Sequence, residues 1–439
     1  MERLSLRALD GLEHRPAIRR GDAGVGILHL GLGAFHRAHQ AVFTEDAIAK
    51  GGGDWAIAAV APRSRAVLDP LLEQDLLYSV LAIDAEGVRP RVLGVHAAAL
   101  HAASEPAAVE ARLADPAVRI VTLTVTEKAY RPGSEVLRLL LRGLRARGGA
   151  PLALVSCDNL PGNGHRLREL VAAELGGCEG LRFPCTMVDR IVPASTEDTY
   201  AAAQAALGVV DRAAVAAEPF SQWVVEDDFP AGRPAWDLAG AVLTADVAPW
   251  ERLKLRVLNG VHSALAYLGA LAGASTIDRA LALPGMRAAM EGLIRTDIAP
   301  TLSPQEGISI EVYGGRVLER FANPALRHRT LQVAMDGTQK LPQRLLATIA
   351  DRRAAGVVPR YATLVLAAWI RFVRGVADDG TPLPLDDPLA DRLRAARSPL
   401  ELDAVFPPGF ADDAELRAAL DEWGRALDRH GVAGTLKAL

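Results

Sequence analysis

The chain has 439 residues, enough for two or three domains of roughly 150 residues each. Half of its residues are hydrophobic, 23% are charged, and the formal net charge is −4. A nearly neutral chain has no overall basic field for nucleic acid or an anionic membrane, so neither is expected as a partner. Its three cysteines, Cys157, Cys178 and Cys185, lack the CxxC or Cys/His spacing of a structural zinc site. The sequence therefore predicts neither a disulfide framework nor a bound metal.

The N-terminal segment and one uncharged segment decide what to expect about membranes. The first residues are charged throughout and contain no apolar stretch typical of a signal peptide, so a cytoplasmic protein is expected. Residues 257–277 are uncharged over about the length of a membrane span. They include Asn259, His262 and several glycines, and charged residues directly precede them. A buried helix that carries polar groups is therefore predicted here.

The first predicted elements form a βαβ unit. Residues 24–30 are an apolar run that leads into a Gly31-x-Gly33 turn, and a helical pattern and a second apolar run at 55–60 follow. The backbone of such a turn can hold the pyrophosphate of a dinucleotide, although a plain tight turn has the same sequence. The third glycine of the usual fingerprint is absent, because His36 stands in its place. The turn is a candidate for dinucleotide binding.

The end of the second strand bears on the choice of cofactor. An acidic residue at this point commonly binds the ribose of NAD. Here the strand is followed by Arg63 and Arg65, with no Asp or Glu. Two arginines would suit the 2′-phosphate of NADP, or they are solvated residues of a loop. The sequence leaves both cofactors open.

The rest of the first half continues the α/β pattern. Two apolar runs without alternation, 120–125 and 152–155, are typical of strands buried on both faces of a parallel sheet. A helix rich in Leu and Arg is predicted between them at 135–147, and an antiparallel pair of strands is predicted at 78–83 and 88–95.

After about Pro249 the pattern changes, since long helices rich in Ala, Leu and Arg replace the strands. We therefore predict an α/β fold with two domains. A Rossmann-type domain with a parallel-rich sheet is expected at 1–248, and a mainly α-helical domain is expected at 249–439.

Four polar residues, Glu251, Lys254, Asn259 and His262, are spaced along the uncharged helix and its entry. On an α-helix, at about 100° per residue, they fall within an arc of about 140°. A helix facing a core does not ordinarily collect an acid, an amine, an amide and an imidazole on one face, so this face lines a cavity or forms a polar network. A lysine beside a cavity loses hydration, which lowers its pKa and lets it act as a general base. Asn259 could then stabilise an oxyanion, His262 could orient a hydroxyl and Glu251 could pass protons to water.

Two further polar clusters have both a functional and a structural explanation. Residues 156–164, which include Asn159, follow a buried strand at the sheet edge where open α/β folds bind ligands, or they form an Asx-rich turn. The cluster of 327–329 with 336–340 could bind a carboxylate or several hydroxyls, or its cations are solvated.

With these residues in view, the chain resembles the long-chain polyol-specific dehydrogenases, the mannitol dehydrogenase and fructuronate reductase (mannonate oxidoreductase) family. The similarity runs in order over nearly the whole chain, through the blocks GILHLGLGAFHRAHQ, DLLYSVL, TLTVTEKAY, SCDNLPGNGH, FPCTMVDRIVPAST, EPFSQWVVEDDFP, KLRVLNGVHSALAYLG and LRHRTLQVAMDGTQKLPQR. FPCTMVDRIVPAST and the last block look closer to the fructuronate reductase branch. The segment 131–155 is shorter than is common in the family, which bears on access to the site.

The resemblance implies a metal-independent, NAD(P)-dependent oxidation of a secondary alcohol, with NAD as the expected cofactor and NADP as the alternative. The catalytic residues that it implies are Lys254 as general base, Asn159, Asn259, His262 and Glu251. The cofactor-binding residues that we assign are Gly31, Gly33, Ala34, Phe35, Arg63, Thr126, Glu127 and Asn159. The substrate contacts that we assign are Asp189, Arg329, Gln332 and Lys340. Gln332 stands where mannitol dehydrogenases carry an arginine, which argues against mannitol itself.

The sequence thus predicts an oxidoreductase that interconverts a fructuronate-like 2-keto sugar acid and a mannonate-like aldonate. The alternative within the same class is a polyol 2-dehydrogenase that acts on mannitol or arabinitol. An alternative from another class is a nucleotide-binding sensor without catalysis, although such a protein has no need of the Lys254 face. We expect a monomer or a weak homo-oligomer.

Overall fold

The computed structural model describes residues 2–303, 308–326, 328–396 and 398–439. The chain divides into two compact units, Met1–Ala248 and Pro249–Leu439. Arg327, from the basic cluster of the sequence, lies outside the described residues.

The strands lie in the first unit. Among the described residues they are β1 (Val25–Leu30), β2 (Ala56–Ala61), β3 (Tyr78–Asp84), β4 (Gly87–Leu93), β5 (His96–His101), β6 (Ile120–Leu123), β7 (Leu152–Ser156), β8 (Leu181–Arg182), β9 (Thr186–Asp189), β10 (Val215–Ala217), β11 (Gln222–Glu226) and β12 (Val242–Thr244).

The main sheet has six parallel strands in the order β5-β2-β1-β6-β7-β8. The order reverses between β1 and β6, and ligands of open α/β sheets bind at such a reversal, outside the carboxyl ends of the strands. Two three-stranded sheets, β10-β3-β4 and β12-β11-β9, complete the unit. The predicted Rossmann-type fold class is confirmed, and so is the antiparallel pairing of β3 with β4.

Both faces of the main sheet are buried, which explains the unbroken apolar runs in the sequence. Ile27 packs in a hydrophobic cluster on one side of β1, whereas its neighbour Leu28 packs in a different cluster. Val155 and Leu154 of β7 divide in the same way. Neighbouring side chains of a strand point to opposite faces, so a sheet covered on both sides needs apolar residues at every position.

The helices of the first unit cover these faces. They are α1 (Ala34–Ala38), α2 (Gln40–Gly51), α3 (Leu68–Glu73), α4 (Pro106–Ala114), α5 (Glu135–Arg147), α6 (Asn163–Leu175) and α7 (Glu197–Leu207). The sequence predicts one helix after the glycine turn, but the structure has two, because His39 lies between them in a non-helical conformation (φ −125°, ψ −87°). The His39 ring packs against Phe35 and Trp223 there.

The second unit is mainly helical, as predicted. Its helices in the described ranges are α8 (Ala248–Leu253), α9 (Gly260–Leu271), α10 (Ile277–Leu281), α11 (Met286–Gly292), α12 (Ile310–Phe321), α13 (Thr330–Ala334), α14 (Gly337–Leu341), α15 (Ala347–Ala354), α16 (Arg360–Val373), α17 (Ala390–Ala395) and α18 (Ala414–Lys437). Three of the described segments have π-helical hydrogen bonding, namely Lys254–Asn259, Leu293–Ile298 and Pro342–Leu346.

The uncharged segment 257–277, predicted as one buried helix, runs from the π-helical turn Lys254–Asn259 through α9 to the first residue of α10, and nearly all residues of α9 are buried in the core of the second unit. A helix that is apolar on all sides belongs in a core or in a membrane. Across the part of the chain that the structure describes, no helix combines the length and the apolar character that a membrane crossing requires.

Candidate active site

The glycine turn after β1 has a backbone that other residues would not tolerate. Gly31 has φ +116°, and a Cβ atom at this position would lie 2.1 Å from the carbonyl oxygen of Thr124. The buried ring of His29 supports the turn, since its Nε2 lies 2.9 Å from the Gly31 carbonyl oxygen and its Nδ1 lies 2.7 Å from Thr122 Oγ1. Burial lowers the pKa of His29 to about 3, so the ring is neutral at physiological pH. A neutral imidazole therefore holds a turn that requires glycine.

The other predicted residues of the turn are more open. Gly33 is exposed at φ −96°, and its N–H donates to the Gly31 carbonyl oxygen at 2.6 Å. Ala34 and Phe35 begin α1 and are half-buried. Gly33, Ala34 and Phe35 thus leave an accessible surface directly after β1.

His36, which replaces the third glycine, is part of the core. Its ring stacks on His29 at 3.4 Å between centroids, and its Nε2 lies 3.0 Å from Nε2 of His96. Burial is the largest cause that lowers the pKa of both His36 and His96, in the latter case to about 3. At the position of the third glycine, the chain therefore has a histidine that belongs to a buried cluster of neutral histidines.

A cleft of about 630 Å³ opens next to this turn, at the carboxyl ends of β1, β2 and β6. Its walls include the predicted residues Arg63 and Thr126, but Glu127, although exposed nearby, is not among them. The cleft also has cationic side chains that the sequence analysis did not single out, namely Lys128, Arg131, Arg138 and Arg142. Arg142 is paired with Glu110, with 2.6 Å between Nε and Oε1. The cleft has the position of a nucleotide site and a basic wall.

The two arginines after β2 differ in their surroundings. Arg63 is exposed and lines the cleft, and its backbone carbonyl oxygen accepts a hydrogen bond at 3.0 Å from His101 Nε2. Arg65 is paired with Asp69, with 2.7 Å between Nη2 and Oδ1. Of the two, Arg63 is the one placed to meet a ligand in the cleft.

Thr126 has a left-handed backbone conformation, with φ +69°, which is rare for a β-branched residue. The N–H groups of Val125 and Thr126 donate to the Asp158 carboxylate at 3.1 and 2.9 Å, and the Tyr130 hydroxyl donates to the same group at 2.8 Å. Burial raises the pKa of Asp158. Strain of this kind persists where the surroundings over-determine it, often at functional sites. Asp158 and Tyr130 were not among the residues predicted from the sequence, although they lie within SCDNLPGNGH and TLTVTEKAY.

Asn159 is exposed immediately after the buried Asp158. The loop that carries it is tied to β9 by Asn163, whose Nδ2 donates to the carbonyl oxygens of Asp158 at 3.1 Å and Thr186 at 2.9 Å. Asp189, a predicted substrate contact, is buried at the end of β9. Asn159 and Asp189 thus sit on neighbouring elements that hydrogen bonds hold in place.

The predicted catalytic face of the second unit is a half-exposed strip on a helix that is otherwise largely buried. Glu251, Lys254, Asn259 and His262 are each partly exposed, whereas most of their neighbours along the helix are buried. The predicted arc of about 140° assumed α-helical geometry throughout. The structure corrects this, because Lys254–Asn259 is π-helical and a π turn joins residues i and i+5. The angle between the Lys254 and Asn259 side chains around the helix axis is therefore smaller than it would be in an α-helix.

His262 is surrounded by aromatic rings and cations. Its ring stacks on Phe321 at 4.7 Å and on His328 at 5.5 Å between centroids. Burial is the largest cause that lowers its pKa, and His328, Arg344, Lys340 and Arg320 lower it further in that order. Within the described ranges, no hydrogen-bond partner reaches its buried Nε2 atom. His262 is thus a neutral imidazole with an unused nitrogen, beside several positive charges.

Arg344 belongs to this cluster and was missed in the sequence, although it ends the last quoted block. It lies in the π-helical turn Pro342–Leu346, and its Nη1 donates to Ser263 Oγ at 3.1 Å. Burial lowers its pKa. Among the residues that the structure describes, no carboxylate is paired with it. Its spacing of four residues from Lys340 was the available signal.

The predicted substrate contacts fall into two groups. Lys340 is half-buried, donates to the Met335 carbonyl oxygen at 2.6 Å, and has a pKa lowered first by burial and then by Arg344. Arg329 and Gln332 are exposed. The structure therefore brings Lys340, but not Arg329 or Gln332, into the buried cluster at His262.

Two family models match the chain. The mannitol dehydrogenase Rossmann domain matches residues 25–238, and the mannitol dehydrogenase C-terminal domain matches residues 246–403. D-mannonate oxidoreductase of Escherichia coli K12 is 38% identical over 94% of this chain and 95% of its own length. Mannitol 2-dehydrogenase of Cereibacter sphaeroides is 37% identical over 96% of this chain and 98% of its own length.

A solved structure agrees with this relationship. The chain superposes on mannitol 2-dehydrogenase of Pseudomonas fluorescens, which was solved in a ternary complex with NAD and D-mannitol. The superposition covers 99% of each chain, with a TM-score of 0.85 and 32% identity. The chain therefore belongs to the mannitol dehydrogenase family of oxidoreductases.

Proposed function

We propose that the chain interconverts a 2-keto sugar acid of the fructuronate type and its mannonate-type aldonate, with a nicotinamide cofactor and a lysine base. The observation that carries the choice of an acid is the group of cations around His262. Arg344, Lys340 and Arg320 all lie close enough to this ring to lower its pKa. A carboxylate is the substrate group that such a surrounding favours.

Arg344 is the strongest candidate for binding the carboxylate. A desolvated guanidinium without a carboxylate partner is costly, and an anionic ligand would relieve that cost. Its planar fork also matches a carboxylate with two parallel hydrogen bonds. Lys340, whose ammonium is anchored on the Met335 carbonyl oxygen, supplies a second positive charge. The Lys340 ammonium also has Asp336 Oδ2 at 4.0 Å, so a neutral polyol would leave the Arg344 charge, but not the Lys340 charge, without a carboxylate.

The glycine turn and the cleft beside it fit a nicotinamide dinucleotide. Gly31 lets the turn pack against the Thr124 backbone, where a Cβ atom would clash, and the cleft beside this turn lies at the reversal of strand order, where open α/β sheets bind ligands. NAD is the proposed cofactor, in line with the NAD-bound mannitol 2-dehydrogenase structure. NADP is the alternative, because Arg63 lines the cleft where an acidic residue would exclude a 2′-phosphate. When bound, the nicotinamide ring takes up or gives back the hydride.

The chain's own residues would handle the proton and the oxygen. In the oxidation, the C–H bond breaks with its electron pair as hydride, the O–H bond breaks, and Lys254 Nζ takes the proton while a C=O bond forms. The amides of Asn159 and Asn259 would donate to the oxygen as its negative charge grows. Neutral His262 would orient the hydroxyl, and Glu251 would pass the proton on to water. A base and two amide donors supply these functions without a metal ion.

A substrate panel with both reduced cofactors tests this function. We expect higher catalytic efficiency with fructuronate than with fructose. Arg344→Ala should lower efficiency on fructuronate by about tenfold to a hundredfold, the usual contribution of a hydrogen bond to a charged group, with a much smaller effect on fructose. The exposed Arg287 is the matched control, and Arg287→Ala should change neither value. Equal losses on the acid and the neutral sugar would contradict carboxylate recognition.

The second candidate is a polyol 2-dehydrogenase that acts on mannitol or arabinitol. The similarity to two mannitol 2-dehydrogenases, one of them solved with D-mannitol, favours it. The same panel separates the two, since a polyol enzyme should prefer fructose and should be insensitive to Arg344→Ala.

A further inference from the structure

The geometry points to a binding site for a divalent transition metal, with Zn²⁺ as the reference ion, formed by His165, Cys185 and Glu226 of the first unit. One ligand atom from each residue lies within 4.8 Å of the other two. In a tetrahedral zinc site with bonds of about 2.0 to 2.3 Å, neighbouring ligand atoms are about 3.5 Å apart. A rotamer adjustment of about 1 Å is therefore enough to close the three around an ion.

Two of the ligands are neighbours across a strand pair. Cys185 directly precedes β9 and Glu226 ends β11, and these strands are antiparallel. The Glu226 N–H donates to the Cys185 carbonyl oxygen at 3.0 Å, and the Cys185 N–H donates to Glu226 Oε2 at 2.8 Å. Val247 N–H lies 3.4 Å from Oε1 of the same carboxylate. Thiol and carboxylate are thus held side by side by backbone hydrogen bonds, which leave further lone pairs on the carboxylate.

The third ligand is brought in by the start of α6. His165 follows Gly164, where a Cβ atom would lie 2.3 Å from the Phe183 carbonyl oxygen, so the helix packs directly on the chain before Cys185. Asn163 reinforces this contact, because its Oδ1 accepts from the Thr186 N–H at 3.0 Å while its Nδ2 donates to the Thr186 carbonyl oxygen. The backbone positions of all three ligands are therefore set by the fold itself.

Charge and access also suit such an ion. The thiol loses its proton to solvent when the metal binds, so thiolate and carboxylate together carry two negative charges that neutralise a divalent cation. A nitrogen, sulfur and oxygen donor set selects zinc, cobalt or nickel over magnesium and calcium. Cys185 is buried whereas His165 is exposed, so the site that we propose reaches the protein surface, and a water molecule would complete the coordination of the ion.

Titration of the full-length protein with Co²⁺ tests the site, because a cobalt–thiolate bond gives a near-ultraviolet charge-transfer band that a carboxylate or imidazole alone does not give. We expect one equivalent of Co²⁺ to produce this band and Zn²⁺ to displace it. Zn²⁺ should also raise the Tm by mass action. Cys185→Ser should abolish the band. His165→Ala and Glu226→Gln should each raise the Zn²⁺ Kd by at least about a hundredfold, since loss of even an outer-shell partner costs about 10–100-fold.

Two matched variants serve as controls. Cys178→Ser removes another cysteine of the same unit, and His430→Ala removes an exposed histidine of the other unit. Both should keep the band and the affinity of the wild type. Absence of saturable binding in the wild-type protein, or a band that survives Cys185→Ser, would overturn the proposal. These measurements do not use turnover, so their outcome is independent of the proposed reaction.

Discussion

Lys254 is the residue on which the proposed proton transfer depends, and it lies in the half-exposed strip of the second unit. Lys254→Ala should reduce kcat by about 10²- to 10⁴-fold, the usual contribution of general acid–base catalysis, while the Kd of the cofactor stays unchanged. Steady-state kinetics with a fluorescence titration of NADH measures both. Arg252→Ala, an exposed cation two residues away, should have wild-type kinetics. Near-normal turnover of the lysine variant would rule out its role as base.

At this scale, polar side chains that interrupt an apolar pattern indicated which positions of a buried helix are exposed, while their catalytic roles stay predictions. Lys254, Asn259 and His262 are such interruptions, and all three are partly exposed on a buried helix. The sequence did not predict Arg344, because an arginine on a surface-like helical segment gives no sign that tertiary packing desolvates it. Arg329 was assigned on the same kind of evidence and is exposed.

Among the structural elements, the glycine turn restricts the choice of amino acid most strongly, at Gly31. Gly31→Ala would combine a left-handed φ of +116° with a Cβ atom 2.1 Å from the Thr124 carbonyl oxygen. We expect the turn to shift, with a loss of unfolding free energy of about 1–3 kcal/mol or more and a weaker affinity for the dinucleotide. Urea denaturation and a cofactor titration measure the two effects.

Gly33→Ala is the control for stability. Gly33 has φ −96°, and the nearest atom to an added Cβ would be 3.8 Å away, so the unfolding free energy should stay close to that of the wild type. If both variants lose the same stability, the special conformation of Gly31 is not the cause.

Helices and strands whose apolar residues follow one regular spacing were predictable from the sequence, and features that depend on tertiary packing were not. Strands β1, β2 and β7 follow from apolar runs that a doubly covered sheet requires. The break at His39 was not predicted, because the apolar spacing continues across it and the ring contacts that favour it are non-local. The π-helical turn at Lys254–Asn259 was missed for a related reason, since a sequence period assumes one geometry along the whole helix.

For the molecule as a whole, the buried histidines predict how stability depends on pH. His29, His36 and His96 have lowered pKa values in the folded chain, mainly through burial, and His262 does too. On unfolding, these rings regain a pKa near 6.5 and take up protons below it, so acid favours the unfolded state. Stability should be fully present above about pH 6.5 and should fall by about 1.4 kcal/mol per pH unit for each such histidine as pH decreases toward 3. Glu45 and Asp158, with pKa values raised mainly by burial, act in the opposite direction, because their carboxyl groups hold a proton in the folded chain that they lose on unfolding.

Urea denaturation at several pH values between 7.5 and 5.5 measures this slope. The slope should correspond to an uptake of several protons. A flat profile over this range would mean that the buried rings are charged in the folded protein.

The π-helical turn also has a consequence for insertions and deletions during evolution. In an α-helix, deletion of one residue rotates everything beyond it by about 100° and so displaces a whole buried face. Between Lys254 and Asn259 the chain holds one residue more than an α-helical turn needs. Deletion of that residue would leave the two side chains at i and i+4, still on one face. A one-residue gap at this position, in an alignment of relatives, is therefore compatible with an unchanged set of the side chains that we propose to be catalytic.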